Sequence, residues 1–92
     1  MPESIILITG ANNGIGVHLA ASLLEMGYCV AGFDLTEENL AALQETYPDH
    51  LLFCRCDVTD EAQVAAAVEA VVERWGRIDV LVNDACLAIF KP

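Results

Sequence analysis

A glycine-rich turn near the amino terminus constrains the fold of this chain more than any other feature. The turn reads Thr9-Gly10-Ala11-Asn12-Asn13-Gly14-Ile15-Gly16. The apolar run 4–8 before it is typical of a buried strand, and residues 17–24 after it carry an apolar stripe with helical spacing. A helix N-terminus presents free N–H groups to an anion, and glycines let a pyrophosphate approach the backbone closely. The turn therefore predicts a nucleotide-binding loop.

Length and charge restrict the classes of protein to which the chain can belong. Its 92 residues predict one domain, 1–92, and its net charge of −10 leaves no basic surface for nucleic acid or an anionic membrane. No apolar run approaches the roughly 18 residues of a membrane-spanning helix. The N-terminal segment is acidic, unlike a signal peptide. We therefore expect a cytoplasmic protein without nucleic-acid or membrane partners.

Strand-like and helix-like segments alternate through the rest of the chain. Strands are predicted at 4–8, 28–33, 51–56 and 78–83, and helices at 14–26, 37–47 and about 61–75. Asp60 with Gln63 resembles a capping box for the third helix. This order predicts an α/β, Rossmann-like parallel sheet with strand order 3-2-1-4. Two of the three crossover helices are expected on one face of the sheet and one on the other.

Asp34 stands at the end of the second predicted strand, about the right distance beyond Gly14 for the acid that binds the adenosine ribose in dinucleotide folds. The alternative is an acid that caps the next helix. Because Thr36 is already a good N-cap, we expect Asp34 to be free for a ribose.

The four cysteines do not form a metal-binding motif. There is no Cys-x-x-Cys spacing, and the two histidines, His18 and His50, lie in other predicted elements than the cysteines. Cys54 and Cys56 would share one face of a strand and could join Cys29 around a soft metal, but buried thiols more often serve as small apolar residues. We therefore predict core cysteines and no metal site.

Four motifs together resemble the amino-terminal third to half of the short-chain dehydrogenase/reductase family, and they extend over nearly the whole chain. They are the glycine turn 9–16, Asp34, Cys56-Asp57-Val58 and the stretch 76–85. The resemblance implies an NAD(P)-dependent oxidoreductase fold with a cofactor site. The implied cofactor-binding residues are Gly10, Asn12, Asn13, Gly14, Ile15, Gly16, Asp34, Leu35, Asp57, Val58, Asn83 and Ala85.

Within that resemblance each part of the site has a role. The glycines and Ile15 would hold the pyrophosphate, Asp34 the adenosine ribose, Asp57 with Val58 the adenine, and 83–86 the ribose on the nicotinamide side. Asp34 would repel a 2′-phosphate, and neither 12–13 nor Leu35 offers a positive charge to neutralise one. NAD is therefore preferred over NADP.

Two departures from the family pattern limit the predicted function. The family's Asn-Asn-Ala-Gly is here Asn83-Asp84-Ala85-Cys86. The family's catalytic Ser and Tyr-x-x-x-Lys are also not found, because neither Tyr28 nor Tyr47 has a lysine four residues later.

We therefore predict no catalytic residue and an NAD(H)-binding half-domain. The alternatives are a subunit or fragment of an oxidoreductase completed by another chain, and a non-enzymatic oligomerising or remnant module. The high apolar fraction, 55%, and a fourth strand at the sheet edge predict a homo-oligomer. A dimer would form through that edge or through an uncovered sheet face.

Overall fold

A computed structural model describes residues 4–84, which form a four-stranded parallel sheet with helices on both faces. The strand order is β3-β2-β1-β4, which confirms the predicted Rossmann-like topology. The elements are β1 Ile5–Thr9, α1 Gly14–Glu25, β2 Cys29–Asp34, α2 Ala41–Thr46, β3 Leu51–Arg55, α3 Glu61–Trp75 and β4 Val80–Asn83, with a 3-10 helix at Glu38–Leu40 before α2.

The central strand β1 is buried along its whole length because helices cover both faces of the sheet. Leu7 packs with Val71 of α3 on one face. Ile8 packs on the other face with Leu24 of α1 and Leu43 of α2. The predicted division of the helices, two on one face and one on the other, is therefore confirmed.

Helix α3 begins and ends as its sequence predicts. The Asp60 carboxylate accepts hydrogen bonds from the backbone N–H groups of Ala62, at 3.0 Å, and Gln63, at 3.3 Å. The Gln63 side chain binds Asp60 Oδ2 and accepts from the N–H of Asp57, so it ties the helix to the loop after β3. Gly76 ends the helix with φ of 87°, a left-handed conformation that glycine adopts without strain.

The start of the second helix differs from the prediction. The helix predicted at 37–47 is a 3-10 helix followed by the short α2, and no side chain caps either one. Thr36, the predicted cap, accepts a hydrogen bond from Asn12 Nδ2 at 2.9 Å instead. Asn12, 24 residues away in the chain, binds the Thr36 hydroxyl that local rules assign to capping the helix.

Strand β4 is held on one side only. Within 4–84 its backbone pairs with β1, and Asp79 just before it accepts from the N–H of Ile5 at 2.7 Å. The exposed fraction is 46% for Val80 and 61% for Leu81. These are high values for strand residues of this type, and they agree with the predicted apolar edge.

Cys29, Cys54 and Cys56, the three described cysteines, are thiols that lie in or beside the cluster beneath α3. Burial raises the pKa of Cys54 and of Cys56, so both stay protonated at neutral pH. Cys86 lies outside the described residues. Within 4–84, no three potential ligand side chains come together as a metal site. No helix in that range is long and apolar enough to cross a membrane.

Candidate functional site

The predicted site residues meet at one edge of the sheet, where the parallel strands end. The glycine turn follows β1, Asp34 ends β2, Asp57 and Val58 follow β3, and Asn83 ends β4. In open α/β sheets this edge is where ligands bind, at the point where the strand order reverses. Here that point lies between β1 and β4.

The glycine turn leaves β1 in a conformation that requires its first glycine. Gly10 has φ of 70°, in the left-handed region that side chains disfavour. Its N–H donates to the carbonyl oxygen of Phe33 at 2.9 Å, so the turn is bound to the end of β2.

The other two glycines of the motif have different reasons to be glycine. A Cβ on Gly16 would overlap the carbonyl oxygen of Gly10 and lie 2.8 Å from Ala11 Cα, so packing of α1 against the turn excludes a side chain there. A Cβ on Gly14 would meet no atom within 4 Å. No contact within the described chain requires a glycine at position 14, and its place beside the turn leaves room for a ligand.

The N-terminus of α1 is partly satisfied by its own cap. Asn13 Oδ1 accepts from the N–H of Gly16 at 2.8 Å, which makes Asn13 the N-cap residue. The N–H groups of Gly14 and Ile15 have no hydrogen-bond partner in the part of the chain that the structure describes. Both residues are exposed, so these two donors are available to an anion.

Asp34 is bonded to the glycine turn and to the residue that follows it. Its Oδ2 accepts from the N–H of Asn12 at 2.9 Å, and its Oδ1 accepts from the N–H of Leu35 at 2.7 Å. The acid therefore does not cap the next helix. A carboxylate has about four acceptor positions, so two hydrogen bonds leave capacity for the hydroxyls of a ribose.

Asn12 has the most extensive set of side-chain contacts in the turn. Its side chain is only 6% exposed. Its Nδ2 donates to Thr36 Oγ1 at 2.9 Å, and its Oδ1 accepts from the N–H of Asn39 at 2.8 Å. In return Asn39 Nδ2 donates to the carbonyl oxygen of Asn12 at 2.9 Å. Asn39 carries no recognisable sequence motif, because its partner is 27 positions away in the chain.

The loop after β3 presents an ionised acid beside an exposed apolar residue. Hydrogen bonds to Asp57 Oδ1 from the hydroxyl of Thr59, at 2.6 Å, and from its N–H, at 2.9 Å, lower the pKa of Asp57. Asp57 is therefore a carboxylate at neutral pH. Val58 is exposed and borders an apolar pocket of 330 Å³ between the sheet and α3.

The end of β4 completes the edge. Thr9 Oγ1 lies 2.7 Å from Asn83 Oδ1 and donates to it, which joins the ends of β1 and β4. Asn83 and Thr9 line the same pocket as Val58, whereas Asp34 and residues 10–16 of the glycine turn lie outside that lining. Asp84 is buried, and its Oδ2 has no hydrogen-bond partner among the described residues 4–84. Ala85, also a predicted site residue, lies outside the described residues.

Comparison with known proteins identifies similar chains throughout one family. The sequence profile of the family described as short chain dehydrogenase matches residues 4–92. A 2-(R)-hydroxypropyl-CoM dehydrogenase from Xanthobacter autotrophicus is 42% identical over 85 residues, and the match covers 88% of this chain and 34% of that protein.

Two similar solved structures contain nicotinamide cofactors. One is a 3-ketoacyl-(acyl-carrier-protein) reductase from Brucella melitensis complexed with NADH; it has a TM-score of 0.78 and 31% identity, and the match covers 87% of this chain and 33% of that one. The other is an F189W actinorhodin polyketide ketoreductase with NADPH, with a TM-score of 0.79 and 34% identity; the match covers 91% of this chain and 34% of that one. This chain thus spans about a third of the length of these relatives.

Proposed function

Because the chain belongs to the short-chain dehydrogenase family, we propose that residues 1–92 form the NAD(H)-binding part of an oxidoreductase and do not transfer hydride by themselves. NAD(H) would supply the hydride acceptor or donor of the dehydrogenase chemistry. The residues of this chain would bind and orient its adenosine and pyrophosphate parts.

One observation carries the proposal: the Asp34 carboxylate accepts a hydrogen bond from Asn12 of the glycine turn at 2.9 Å. The ribose-binding acid and the pyrophosphate-binding turn of the family pattern thereby form a single site. The free N–H groups of Gly14 and Ile15, and the open space beside Gly14, suit a pyrophosphate in the same site.

The other predicted residues would extend the site along the sheet edge. Asp57 and Val58 would border the adenine, and Asn83 with Ala85 would border the second ribose. The buried, unpartnered Oδ2 of Asp84 supports a ligand near the end of β4, because an unsatisfied buried carboxylate oxygen is costly.

We propose NAD over NADP on electrostatic grounds. The Asp34 carboxylate would repel a 2′-phosphate, and 12–13 and Leu35 carry no positive charge to offset the repulsion. Similar proteins bind either form, as the NADH and NADPH structures illustrate, so the preference rests on the residues of this chain.

The second candidate is an oxidoreductase completed by further polypeptide, which the one-third coverage of the relatives favours. In that case a Tyr-x-x-x-Lys pair from outside these residues would supply the acid–base chemistry. The discriminating observation is formation of NADH from an alcohol by the chain with and without such a segment.

Calorimetric titration of the chain with NAD and with NADP tests the proposal. NAD should bind more tightly than NADP. Asp34→Asn should weaken NAD binding about tenfold or more, because hydrogen bonds to a charged group contribute roughly 1.5–3 kcal/mol. The matched control is Asp49→Asn, which removes the same charge from an exposed turn before β3. No heat of binding at millimolar NAD would reject the proposal.

A further inference from the structure

We propose that the side chains of Asn12 and Asn39 form a clamp that holds the Asp34 carboxylate in position to bind the adenosine ribose of NAD. The inference rests on the proposed NAD-binding function and adds residues to it. Asn12 is then a positioning residue that acts through Asp34, and Asn39 is a further positioning residue of the same site.

The Asn12 amide is buried and each of its two polar atoms has a protein partner, so it is poorly placed to contact a cofactor directly. Its Nδ2 is used by Thr36 and its Oδ1 by the N–H of Asn39, at 2.9 and 2.8 Å. The side chain is also 94% buried, since 6% of it is exposed. The buried Asn12 amide instead holds the loop 35–39 in place through its bonds to Thr36 and Asn39.

The same residue also fixes Asp34. The backbone N–H of Asn12 donates to Asp34 Oδ2, while the carbonyl oxygen of Asn12 accepts from Asn39 Nδ2. The two peptide groups that flank the Asn12 side chain are therefore bonded to opposite ends of the loop that follows β2. Movement of this loop away from the turn would break these bonds together.

Packing beneath the clamp supports the same geometry. Gly32 lies under it on β2, and a Cβ at that position would come within 3.0 Å of Ala11 Cβ and 3.5 Å of Leu40 Cδ1. Ala11 and the almost fully buried Leu40 thus sit side by side over a strand position without a side chain. The turn and the 3-10 helix can approach closely enough for the asparagines to bond.

The clamp also gives a physical reason for cofactor selectivity. A 2′-phosphate on the ribose needs space and a nearby positive charge, which an Arg supplies in NADP-binding folds of this type. Here the loop is bonded in place and carries Glu37 and Glu38, both exposed and acidic. Loosening the clamp should therefore reduce discrimination against NADP.

A matched pair of variants tests the clamp, one in the 3-10 helix and one in α2. Asn39→Ala removes the 2.9 Å bond from a side-chain amide to the carbonyl oxygen of Asn12. Gln44→Ala removes a 2.9 Å bond of the same chemical kind to the carbonyl oxygen of Leu51, on β3. Both should fold, because neither side chain belongs to the core.

Hydrogen exchange measured by NMR on the free chain tests the clamp without a cofactor. The N–H groups of Asn12 and Leu35, which bind Asp34, should exchange faster in Asn39→Ala than in Gln44→Ala. The N–H of Gly16, bonded to Asn13, should exchange alike in both. Equal exchange at Asn12 and Leu35 in the two variants would overturn the clamp.

NAD and NADP titrations of the same variants test the consequence for binding. Asn39→Ala should weaken NAD binding by about two- to tenfold relative to Gln44→Ala, the range expected for one hydrogen bond, and lower the NAD-to-NADP affinity ratio. Thr36→Val, which removes the acceptor of Asn12 Nδ2, should act in the same direction. Thr36→Ser, which keeps the hydroxyl, should behave like the wild type.

The outcomes separate the clamp from the function on which it rests. If the wild-type chain binds no NAD while exchange at Asn12 responds selectively to Asn39→Ala, the proposed function fails and the clamp on Asp34 stands. If the chain binds NAD but Asn39→Ala and Thr36→Val match their controls in affinity and selectivity, the clamp is only structural and the inference is wrong.

Discussion

The loops after β1 and β2 differ from strand β4 in how they are held, although all three contribute to the carboxyl-terminal end of the parallel strands, where the candidate site lies. The loop after β1 is joined to the end of β2 and to the loop after it: the N–H of Gly10 donates to the carbonyl oxygen of Phe33, and the N–H of Asn39 donates to Asn12 Oδ1. Strand β4 is bonded to β1 alone within 4–84, and Leu81 on it is 61% exposed. One region is closed by its own contacts, while the other presents apolar surface.

The difference separates the two tasks of the chain. The closed region holds the residues proposed to bind the adenosine half of NAD, where preorganisation lowers the entropic cost of binding. The open region is the kind of edge that recruits another strand or a second copy. Four predictions follow from this contrast.

The largest effect is expected at the centre of the closed region. Phe33→Ala removes an almost fully buried side chain that packs under α3. It should cost about 3–5 kcal/mol in free energy of unfolding, because both the transfer free energy and the contacts around the cavity are lost. Urea denaturation, monitored by circular dichroism, measures this change in the free energy of unfolding. Phe33→Leu should cost less, and equal loss in the two variants would argue against a packed site at this residue.

The two glycines 14 and 16 should separate stability from binding. Gly16→Ala forces the turn to shift and should cost about 1–3 kcal/mol, as overpacking of a core does. On a domain of this size, 1 kcal/mol lowers Tm by about 4–8 °C. Gly14→Ala should leave Tm almost unchanged, because its Cβ meets no protein atom. It should weaken NAD binding, because the added methyl group would occupy the space proposed for the pyrophosphate. Thermal melts and NAD titrations of both variants measure these effects. A Tm of Gly14→Ala as low as that of Gly16→Ala would contradict the predicted difference.

Strand β4 should contribute a stability that depends on pH. Hydrogen bonds from the N–H of Ile5 and from the Arg77 side chain lower the pKa of Asp79 in the folded state. A carboxyl whose pKa is lowered by folding stabilises the protein above its unfolded pKa, about 3.9. That contribution disappears as the pH falls below about 4, through the folded-state pKa of Asp79.

Asp79→Asn should therefore reduce the loss of stability between neutral and acidic pH. Its amide oxygen can still accept from Ile5, so the geometry is preserved while the titration is removed. Asp49→Asn, in an exposed turn, serves as the control. Urea midpoints measured from pH 7 downward that fall in parallel for both variants would show that Asp79 does not contribute.

The smallest effect on stability is expected at the open edge. Leu81→Lys should change the free energy of unfolding by less than about 0.5 kcal/mol, because the side chain is exposed. It should nevertheless reduce the mass measured by light scattering at micromolar concentration if copies associate through β4, one of the two dimer surfaces that the sequence predicts. Met26→Lys, at a similarly exposed apolar residue after α1, is the control. A wild-type chain that is already monomeric would reject association through this edge.

Much of the fold was predictable because it depends on local chemistry. The alternation of apolar runs and amphipathic segments gave the parallel sheet, its order and the faces of its helices. The Asp60 cap and Gly76 gave the ends of α3. The position of Asp34 at the end of β2 followed from the apolar run 28–33 that precedes it. What these features share is that each depends on neighbours only a few residues away.

The contacts that join distant loops were not predictable in the same way. Local rules made Thr36 a helix cap, and that prediction was wrong because Asn12, 24 residues away, binds the Thr36 hydroxyl. Local rules also did not indicate that Asp34 and Asn39 bind Asn12, from 22 and 27 residues away. A hydroxyl or carboxylate near a helix start has several possible partners, and only the folded chain determines which is closest.

The sequence by itself determined the architecture and the family, since periodic burial and a glycine turn before a helix leave few other arrangements. Only the tertiary structure decided how the site is built. It showed that Gly16 is required by packing while Gly14 has no such constraint, and that Asn39 lies beside the turn. The reason is that these properties depend on distances between segments, which the order of residues does not contain.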